Sequence, residues 1–211
     1  MRLLALLAVA AVILSGCSEP TETLPYYLSA DLTPEWLTSA AGSEVHKIPP
    51  FALRNQENEV VTEADIDGHI VVASFFFTSC SQVCPILKSR LARIQEAYIE
   101  DDRVVLLSHS VAPMADSVAA LARYAATNDI QTGRWHLLTG AVEDIDALAR
   151  NGYFVDVEGA PGDLDGYNLL HTETVVLLDG KRRIRGVYTG TLQLEVERIL
   201  EDMAVLLAER Q

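Results

Sequence analysis

Two patterns of apolar residues alternate along the chain from His46 onward. Residues 70–78 form a continuous apolar, β-branched and aromatic run, as expected for a central strand that is covered on both faces. Behind Pro85, apolar residues recur at spacings of four, three and four, which is the spacing of one helix face. They are Leu87, Leu91, Ile94 and Tyr98. The pattern predicts a buried strand followed by a helix that packs on it.

The alternation continues to the C-terminus. Further strands are predicted at residues 103–110, 135–140 and, as a hairpin around an Asp179-Gly180 turn, 173–188. Helices are predicted at residues 116–128, with Asp116 as the N-cap, and at 142–151 and 192–209. Strands that alternate with helices and end in a hairpin and a helix predict an α/β protein with a mixed central sheet flanked by helices. A thioredoxin-like arrangement fits that order.

The N-terminus has the pattern of an export signal. Arg2 is followed by an apolar run, residues 3–14, which is well short of the roughly 20 residues that cross a bilayer. The sequence LSGC, ending at Cys17, resembles the lipobox of bacterial lipoproteins, whose cysteine is lipidated and becomes the mature N-terminus. We predict a signal peptide at residues 1–16 and a lipid anchor on Cys17 that holds the domain on the periplasmic side of a bacterial membrane. The alternative is an ordinary signal peptide with a chance cysteine.

The segment behind this signal differs in composition from the rest of the chain. Residues 17–43 are rich in Pro, Ser, Thr and Glu with weak periodicity, and predict a flexible tether with at most a short helix near residues 34–41. Fully extended, such a tether reaches roughly 85 Å. We therefore predict one globular domain, residues 44–211, that reaches partners across the membrane surface.

Composition and charge narrow the class of protein. A chain of 211 residues with 49% hydrophobic residues can bury the core of one domain. The formal net charge is -14, whereas a nucleic-acid-binding protein presents a clustered basic face. We therefore exclude nucleic acid as a partner.

The chain has three cysteines, Cys17, Cys80 and Cys84. If Cys17 is lipidated, the domain retains one pair, in the stretch TSCSQVCP. Pro85 suits the first helical position, which puts Cys84 near the N-cap, where the helix dipole favours a thiolate. A thiolate is both the nucleophile of disulfide exchange and a soft metal ligand. The alternative is a static disulfide or two reduced core cysteines, although a loop this short yields little entropic stabilisation.

Among the five histidines, His171 stands directly before the predicted strand at residues 172–178. In a thioredoxin-like sheet this strand lies beside residues 70–78 and brings its first residues near the cysteines. Two thiolates and one imidazole suit copper or zinc and disfavour the metals that prefer oxygen. His109, at the end of a strand, is predicted to be a hydrogen-bonded residue rather than a ligand.

Two stretches resemble one known family. SFFFTSCSQVCP (residues 74–85) resembles the F-x-F-T-x-C-x-x-x-C-P signature of the Sco/SenC family, and GYNLLHTETVVLLDGKRRIRGVY (166–188) resembles the later segment that carries its ligand histidine. The likeness extends over roughly residues 46–200. It implies a thioredoxin-fold protein that is a copper chaperone rather than an enzyme and assists cytochrome c oxidase assembly. It further implies one copper ion per chain, bound by Cys80, Cys84 and His171.

The resemblance also implies partners: a copper-accepting oxidase subunit, and a thiol reductant or a copper donor protein.

Two positions depart from the family pattern. Leu170 stands where an aspartate often precedes the histidine, and Ala112 stands at the aspartate of the S-x-D-P motif. Both lie where groups that tune metal affinity or contact a partner are expected.

The competing hypothesis is an extracytoplasmic thiol-disulfide oxidoreductase that reduces cysteines of a metalloprotein. The same dithiol that binds copper can pass electrons to a partner. Two features count against a standard member of that class: three residues rather than two separate Cys80 from Cys84, and no proline directly precedes the strand at 172–178. A peroxidase is disfavoured because the cysteines lack the T-x-x-C surroundings of peroxiredoxins.

Overall fold

The computed structural model describes residues 23–37, 45–155 and 173–209. The strands in these ranges are β1 (Tyr26–Tyr27), β2 (Pro34–Glu35), β3 (Ala52–Arg54), β4 (Val60–Thr62), β5 (Ile70–Phe76), β6 (Val104–Ser110), β7 (Trp135–Leu138), β8 (Thr174–Leu178) and β9 (Ile184–Thr189). The α-helices are α1 (Val83–Ala97), α2 (Val118–Thr127), α3 (Val142–Ala147) and α4 (Gln193–Ala208). A π-helical turn, Leu148–Gly152, continues α3. None of the helices in these three ranges is long and apolar enough to cross a membrane.

Five strands form the central sheet in the order β7-β6-β5-β8-β9. Strands β5, β6 and β7 are parallel, and α1 and α2 form the crossovers between them. Strand β8 is antiparallel to β5, and the β8–β9 hairpin closes the sheet. All seven residues of β5 are buried, because helices or loops cover both faces of the sheet. The predicted mixed sheet is confirmed.

Side chains of β5 alternate between the two faces of the sheet, as the two-residue period of a strand requires. Val72 and Phe76 face a core built with α1, α2 and α4. Val71 and Phe75 face a second core, which includes α3 and the β3–β4 hairpin. The continuous apolar run in the sequence therefore reflects two cores that share one strand.

Residues 23–37 differ from the predicted flexible tether. Strands β1 and β2 form a short antiparallel hairpin that contacts β9, and residues 34–35 are extended where a short helix was expected. Leu24 is buried, and the Arg185 side chain donates hydrogen bonds to the carbonyls of Leu24 (2.9 Å) and Pro25 (3.1 Å). The Arg185 guanidinium also lies 4.2 Å from the ring centroid of Tyr26. These contacts use backbone carbonyls and one ring, so hydrophobic periodicity does not report them.

Arg185 is itself buried, with only 2% of its surface exposed. Its guanidinium pairs with both carboxylate oxygens of Glu209 (2.9 Å each) and with Asp179 (3.3 Å). A buried charge is tolerated only when it is paired and fully hydrogen-bonded. Arg185 thus joins the N-terminal hairpin, the β8–β9 turn and the end of α4.

Replacing Arg185 with Gln is expected to release the N-terminal hairpin. The change removes a buried guanidinium that pairs with the partly exposed Glu209 and with Asp179, which keeps its ion pair with Arg183, and it lowers the free energy of unfolding by about 3 kcal/mol. Hydrogen exchange followed by mass spectrometry should show at least tenfold faster exchange in residues 23–37. Arg103→Gln is the control, because its ion pair with Asp101 is more exposed and such pairs contribute about 1 kcal/mol or less. Unchanged exchange in residues 23–37 would contradict this assignment.

His109 is fully buried in β6 between two aromatic rings. Its ring centroid lies 5.2 Å from those of Phe75 and Tyr153, and its Nε2 atom lies 3.1 Å from the Tyr153 hydroxyl. The predicted hydrogen-bonded histidine is confirmed. Its Nδ1 atom has no hydrogen-bond partner in the described part of the chain. Burial lowers the pKa of His109 to about 3.

We expect the burial of His109 to make the free energy of unfolding decrease as the pH is lowered. Between the ordinary histidine pKa of about 6.5 and the folded value, the unfolded chain takes up a proton that the folded protein does not. The free energy of unfolding should therefore drop by roughly 1 kcal/mol per pH unit on this account as pH falls below 6.5. Denaturant titrations from pH 7 to 4.5 test this, because His109→Gln should show a shallower slope. Equal slopes would show that His109 is protonated without unfolding.

Candidate functional site: a dithiol at the end of the central strand

The cysteine loop, residues 77–82, joins the carboxyl end of β5 to α1. The backbone N–H of Val111 donates to the carbonyl of Phe76 (2.9 Å), which extends the β5–β6 pairing to the base of the loop. The Cys80 N–H donates to the Phe77 carbonyl (3.2 Å) and closes a turn. The loop therefore starts from a strand that is buried along its whole length and places Cys80 at the carboxyl edge of the sheet.

Cys80 and Cys84 are both reduced, and a hydrogen bond joins their residues. The backbone N–H of Cys84 donates to Cys80 Sγ at 3.3 Å. The sequence predicted Pro85 as the first residue of the helix. In the structure α1 begins at Val83, so Pro85 is its third residue. Backbone N–H groups in a first helical turn have no partner within the helix. The sulfur of Cys80 supplies that partner.

The two thiols differ in exposure. Cys80 is partly buried, whereas Cys84 is buried against α1 and the sheet. Burial raises the pKa of the Cys84 thiol to about 12, and the hydrogen bond with Cys80 adds to the effect. The sequence predicted that the helix dipole would favour a thiolate here, but loss of solvation outweighs the dipole. Cys84 is a thiol at neutral pH and must lose its proton before it binds a metal or forms a disulfide.

A buried carboxylate lies beside the cysteine loop. Asp116, with 1% of its surface exposed, accepts hydrogen bonds from the Thr78 N–H (3.1 Å), the Thr78 hydroxyl (2.5 Å) and the Ser110 hydroxyl (2.6 Å). The predicted helix cap at Asp116 is wrong, because Ser117 accepts from the Ala120 N–H and caps α2 instead. Local sequence pattern could not show this, since the partners are 38 and 6 residues away.

The third predicted ligand, His171, lies outside the described residues, as do Cys17 and Leu170. The structure therefore brings together two of the three predicted metal ligands, and within the described ranges no group of three or more His, Cys, Asp or Glu is arranged to hold a metal ion.

The next described range begins at Glu173. The carbonyl of Glu173 accepts from the Gly190 N–H (2.6 Å), and its carboxylate accepts from the Thr191 hydroxyl. Strand β8 then runs beside β5.

Ala112, the second departure from the family pattern, lies in the turn behind β6. Its carbonyl accepts hydrogen bonds from the backbone N–H groups of Ala115 (2.9 Å) and Asp116 (2.8 Å). Its methyl side chain supplies no hydrogen bond to the site. The carboxylate that this turn does provide is that of Asp116.

The fold and the thiol pair define a class of protein. A reduced, closely spaced dithiol stands where the central strand of a thioredoxin-like sheet passes into a helix, an arrangement that can form a disulfide or bind a soft metal ion. The family model described as SCO1/SenC matches residues 39–208. The chain belongs to the SCO1/SenC family, and the predicted family membership is confirmed.

Individual relatives agree with this assignment. The SCO1 protein homolog of Bacillus subtilis (strain 168) is 24% identical over 183 residues, which span 83% of this chain and 93% of that protein. The crystal structure of a SCO1/SenC family lipoprotein from Bacillus anthracis str. Ames is similar at a TM-score of 0.68 and 26% identity, covering 80% of this chain and 99% of that one. Arabidopsis thaliana ScoI with copper bound matches at a TM-score of 0.59 and 26% identity, covering 74% and 94%.

The unequal burial of the two thiols predicts unequal alkylation. In Cys80→Ser protein, iodoacetamide should modify Cys84 at least tenfold more slowly at pH 8 than it modifies Cys80 in Cys84→Ser protein, because the thiolate is the reactive form and burial raises the pKa of Cys84 to about 12. Intact-mass spectrometry over time gives both rates. In urea the two rates should become similar, which controls for intrinsic reactivity. Equal rates in the folded proteins would contradict the burial of Cys84.

Proposed function

We propose that the chain is a membrane-tethered copper-binding protein that delivers copper to, or matures the copper site of, a respiratory cytochrome c oxidase. The observation that supports this most directly is the reduced Cys80–Cys84 pair, joined by the hydrogen bond from the Cys84 N–H to Cys80 Sγ. One relative, BsSco, is a member of the Sco family of cytochrome c oxidase assembly proteins, and the Arabidopsis thaliana relative is solved with copper bound. Copper is the cargo of such a protein.

His171 is the proposed third ligand. Ser74 pairs with Val175 in the antiparallel β5–β8 ladder, so the start of β8 lies at the end of β5 from which the cysteine loop departs. His171 precedes Glu173 by two residues, and chain geometry keeps their Cα atoms within about 7 Å of each other. This reach supports a site in which one imidazole joins two thiolates, a set that suits Cu(I) or Cu(II).

The proposed cycle depends on the state of the two thiols. Cys84 must release its proton to become a ligand, so copper uptake should release at least one proton per ion bound. Oxidation of both thiols to a disulfide removes two ligands at once. The reduced protein thus binds copper and transfers it by stepwise ligand exchange, whereas the disulfide form releases the ion.

The proposal places the domain on the periplasmic side of a bacterial membrane, anchored through a lipid on Cys17. The lipobox-like sequence LSGC supports this anchor, and the Bacillus anthracis relative is a lipoprotein. The proposed partners are the copper-accepting oxidase subunit and a thiol reductant or copper donor protein. Leu170 and Ala112 depart from the family pattern where a partner or the metal would be contacted, so copper affinity is expected to differ from that of relatives that carry aspartates there.

The second candidate is a thiol-disulfide oxidoreductase that reduces cysteines of a metalloprotein. The hydrogen bond from the Cys84 N–H to Cys80 Sγ favours it, because it holds the Cys80 sulfur beside the residue with which it would form a disulfide. In that reaction the two thiols lose two protons and two electrons, and the disulfide of the partner accepts them. Both functions use the same reduced pair, so copper binding distinguishes them.

Copper titration of the reduced domain tests the proposal. We expect one copper per chain and a thiolate-to-copper charge-transfer band, with tight binding abolished in Cys80→Ser and Cys84→Ser. His171→Ala should weaken Cu(II) binding at least tenfold and change the electron paramagnetic resonance spectrum. His69→Ala is the matched control, because His69 precedes β5 at the opposite end of the sheet.

Two results would overturn parts of the proposal. Unchanged affinity in His171→Ala would exclude the three-ligand site. No copper binding to the reduced protein, together with a readily cycled Cys80–Cys84 disulfide, would favour the oxidoreductase.

A further inference from the structure

The buried carboxylate of Asp116 has only hydrogen-bond partners. Its oxygens accept from the N–H and hydroxyl of Thr78 and from the hydroxyl of Ser110, and in the described part of the chain no ion pair joins it to a basic side chain. We call Asp116, Thr78 and Ser110 the Asp116 cluster. A buried carboxylate without a cationic partner is costly unless several donors satisfy it. This cost makes a purely passive role in packing a poor explanation of the residue.

The Asp116 cluster is held on a rigid turn. The Ala112 carbonyl accepts hydrogen bonds from the backbone N–H groups of both Ala115 and Asp116. The Val111 N–H donates to the carbonyl of Phe76, the last residue of β5. Ser110 is the last residue of β6 and pairs with Phe76 in the sheet. The position of the carboxylate is therefore set by the sheet itself rather than by a mobile loop.

Thr78 transmits this position to the cysteines. It stands two residues before Cys80, and the carboxylate holds both its backbone N–H and its hydroxyl. On the other side, the sulfur of Cys80 receives the N–H of Cys84 from the first turn of α1. Cys80 is thus fixed from the sheet on one side and from the helix on the other.

We propose that Asp116 is a positioning residue that acts through Thr78. It holds Cys80 in the orientation in which its sulfur can form a disulfide with Cys84, and so sets the dithiol–disulfide equilibrium of the pair. The inference deepens the proposed function, since it rests on the same two thiols. It does not require copper, so it can fail or hold independently of metal binding. Asp116 touches neither sulfur and acts only through Thr78.

The redox step balances with glutathione disulfide as the oxidant. Cys80 and Cys84 each lose a proton and together lose two electrons as their sulfur–sulfur bond forms. The sulfur–sulfur bond of glutathione disulfide breaks and gives two glutathione thiols. The equilibrium constant of this exchange contains the effective concentration of one protein thiol at the other, and that concentration depends on how tightly Cys80 is oriented.

Equilibration of the copper-free protein with mixtures of reduced and oxidised glutathione tests the proposal. In Asp116→Asn an NH2 group replaces one of the two acceptor oxygens and the negative charge is lost, which weakens the hold on Thr78, and we expect the equilibrium constant for disulfide formation to fall at least tenfold, which corresponds to about 30 mV. Thr78→Val removes the hydroxyl donor and should shift the equilibrium in the same direction. Thr78→Ser keeps that hydroxyl and should restore the wild-type value. Trapped thiols and disulfides are counted by mass spectrometry.

Asp146→Asn is the matched control. Asp146, in α3, is also buried, but it pairs with Arg150 of the following π-helical turn on the opposite face of the sheet. Its loss should lower stability while leaving the glutathione equilibrium within twofold of wild type. An equal shift in Asp146→Asn would show general loosening and overturn the proposal.

The Thr78 pair keeps the test decisive if Asp116→Asn does not fold. Thr78→Val within twofold of wild type would overturn the positioning role, as would equal shifts in Thr78→Val and Thr78→Ser. If the shifts appear as expected and copper still does not bind, the positioning role stands and the copper proposal fails alone.

Discussion

The pairing of β5 with two neighbours decides which segments meet at the cysteines. Parallel pairing with β6 brings the turn that carries Asp116 to the carboxyl end of β5, and antiparallel pairing with β8 brings the first residues of β8 to the same end. These segments are far apart in the sequence. Any change that shifted the register of β5 would separate them, because one residue of slip turns every side chain of a strand to the opposite face.

Cys84 illustrates a conflict between two electrostatic effects. The start of a helix favours a negative charge by roughly 1 kcal/mol or less when exposed, whereas burial of a thiolate costs more. At Cys84 the effect of burial is the larger one, so the thiol remains protonated. A dithiol of this kind is protected from unselective oxidants, since thiolates are the reactive species, and a partner or metal ion that drives out the proton can still engage it.

The sequence predicted the sheet well because its signals are local. Apolar runs marked β5 and β6, and Asp179-Gly180 correctly marked the turn between β8 and β9. Asp116 was misjudged because an aspartate before a helix looks like a cap, and only the fold shows that Ser117 takes this role while the carboxylate turns inward. The cysteine pair could be found from its spacing. Its protonation could not, since burial depends on α1 and the sheet together.

The hairpin at residues 23–37 shortens the part of the N-terminal segment that can act as a tether. Because Arg185 fixes Leu24 and Pro25 to β9, only the residues between Cys17 and Thr23 separate the proposed lipid anchor from the folded domain, and they span at most about 20 Å. If Cys17 carries a lipid, a domain held this close to the bilayer would not search a wide area of membrane. It would stay in a thin layer above the bilayer, so lateral diffusion of the whole protein, and not the motion of a long tether, would govern how often the dithiol encounters a membrane-embedded partner.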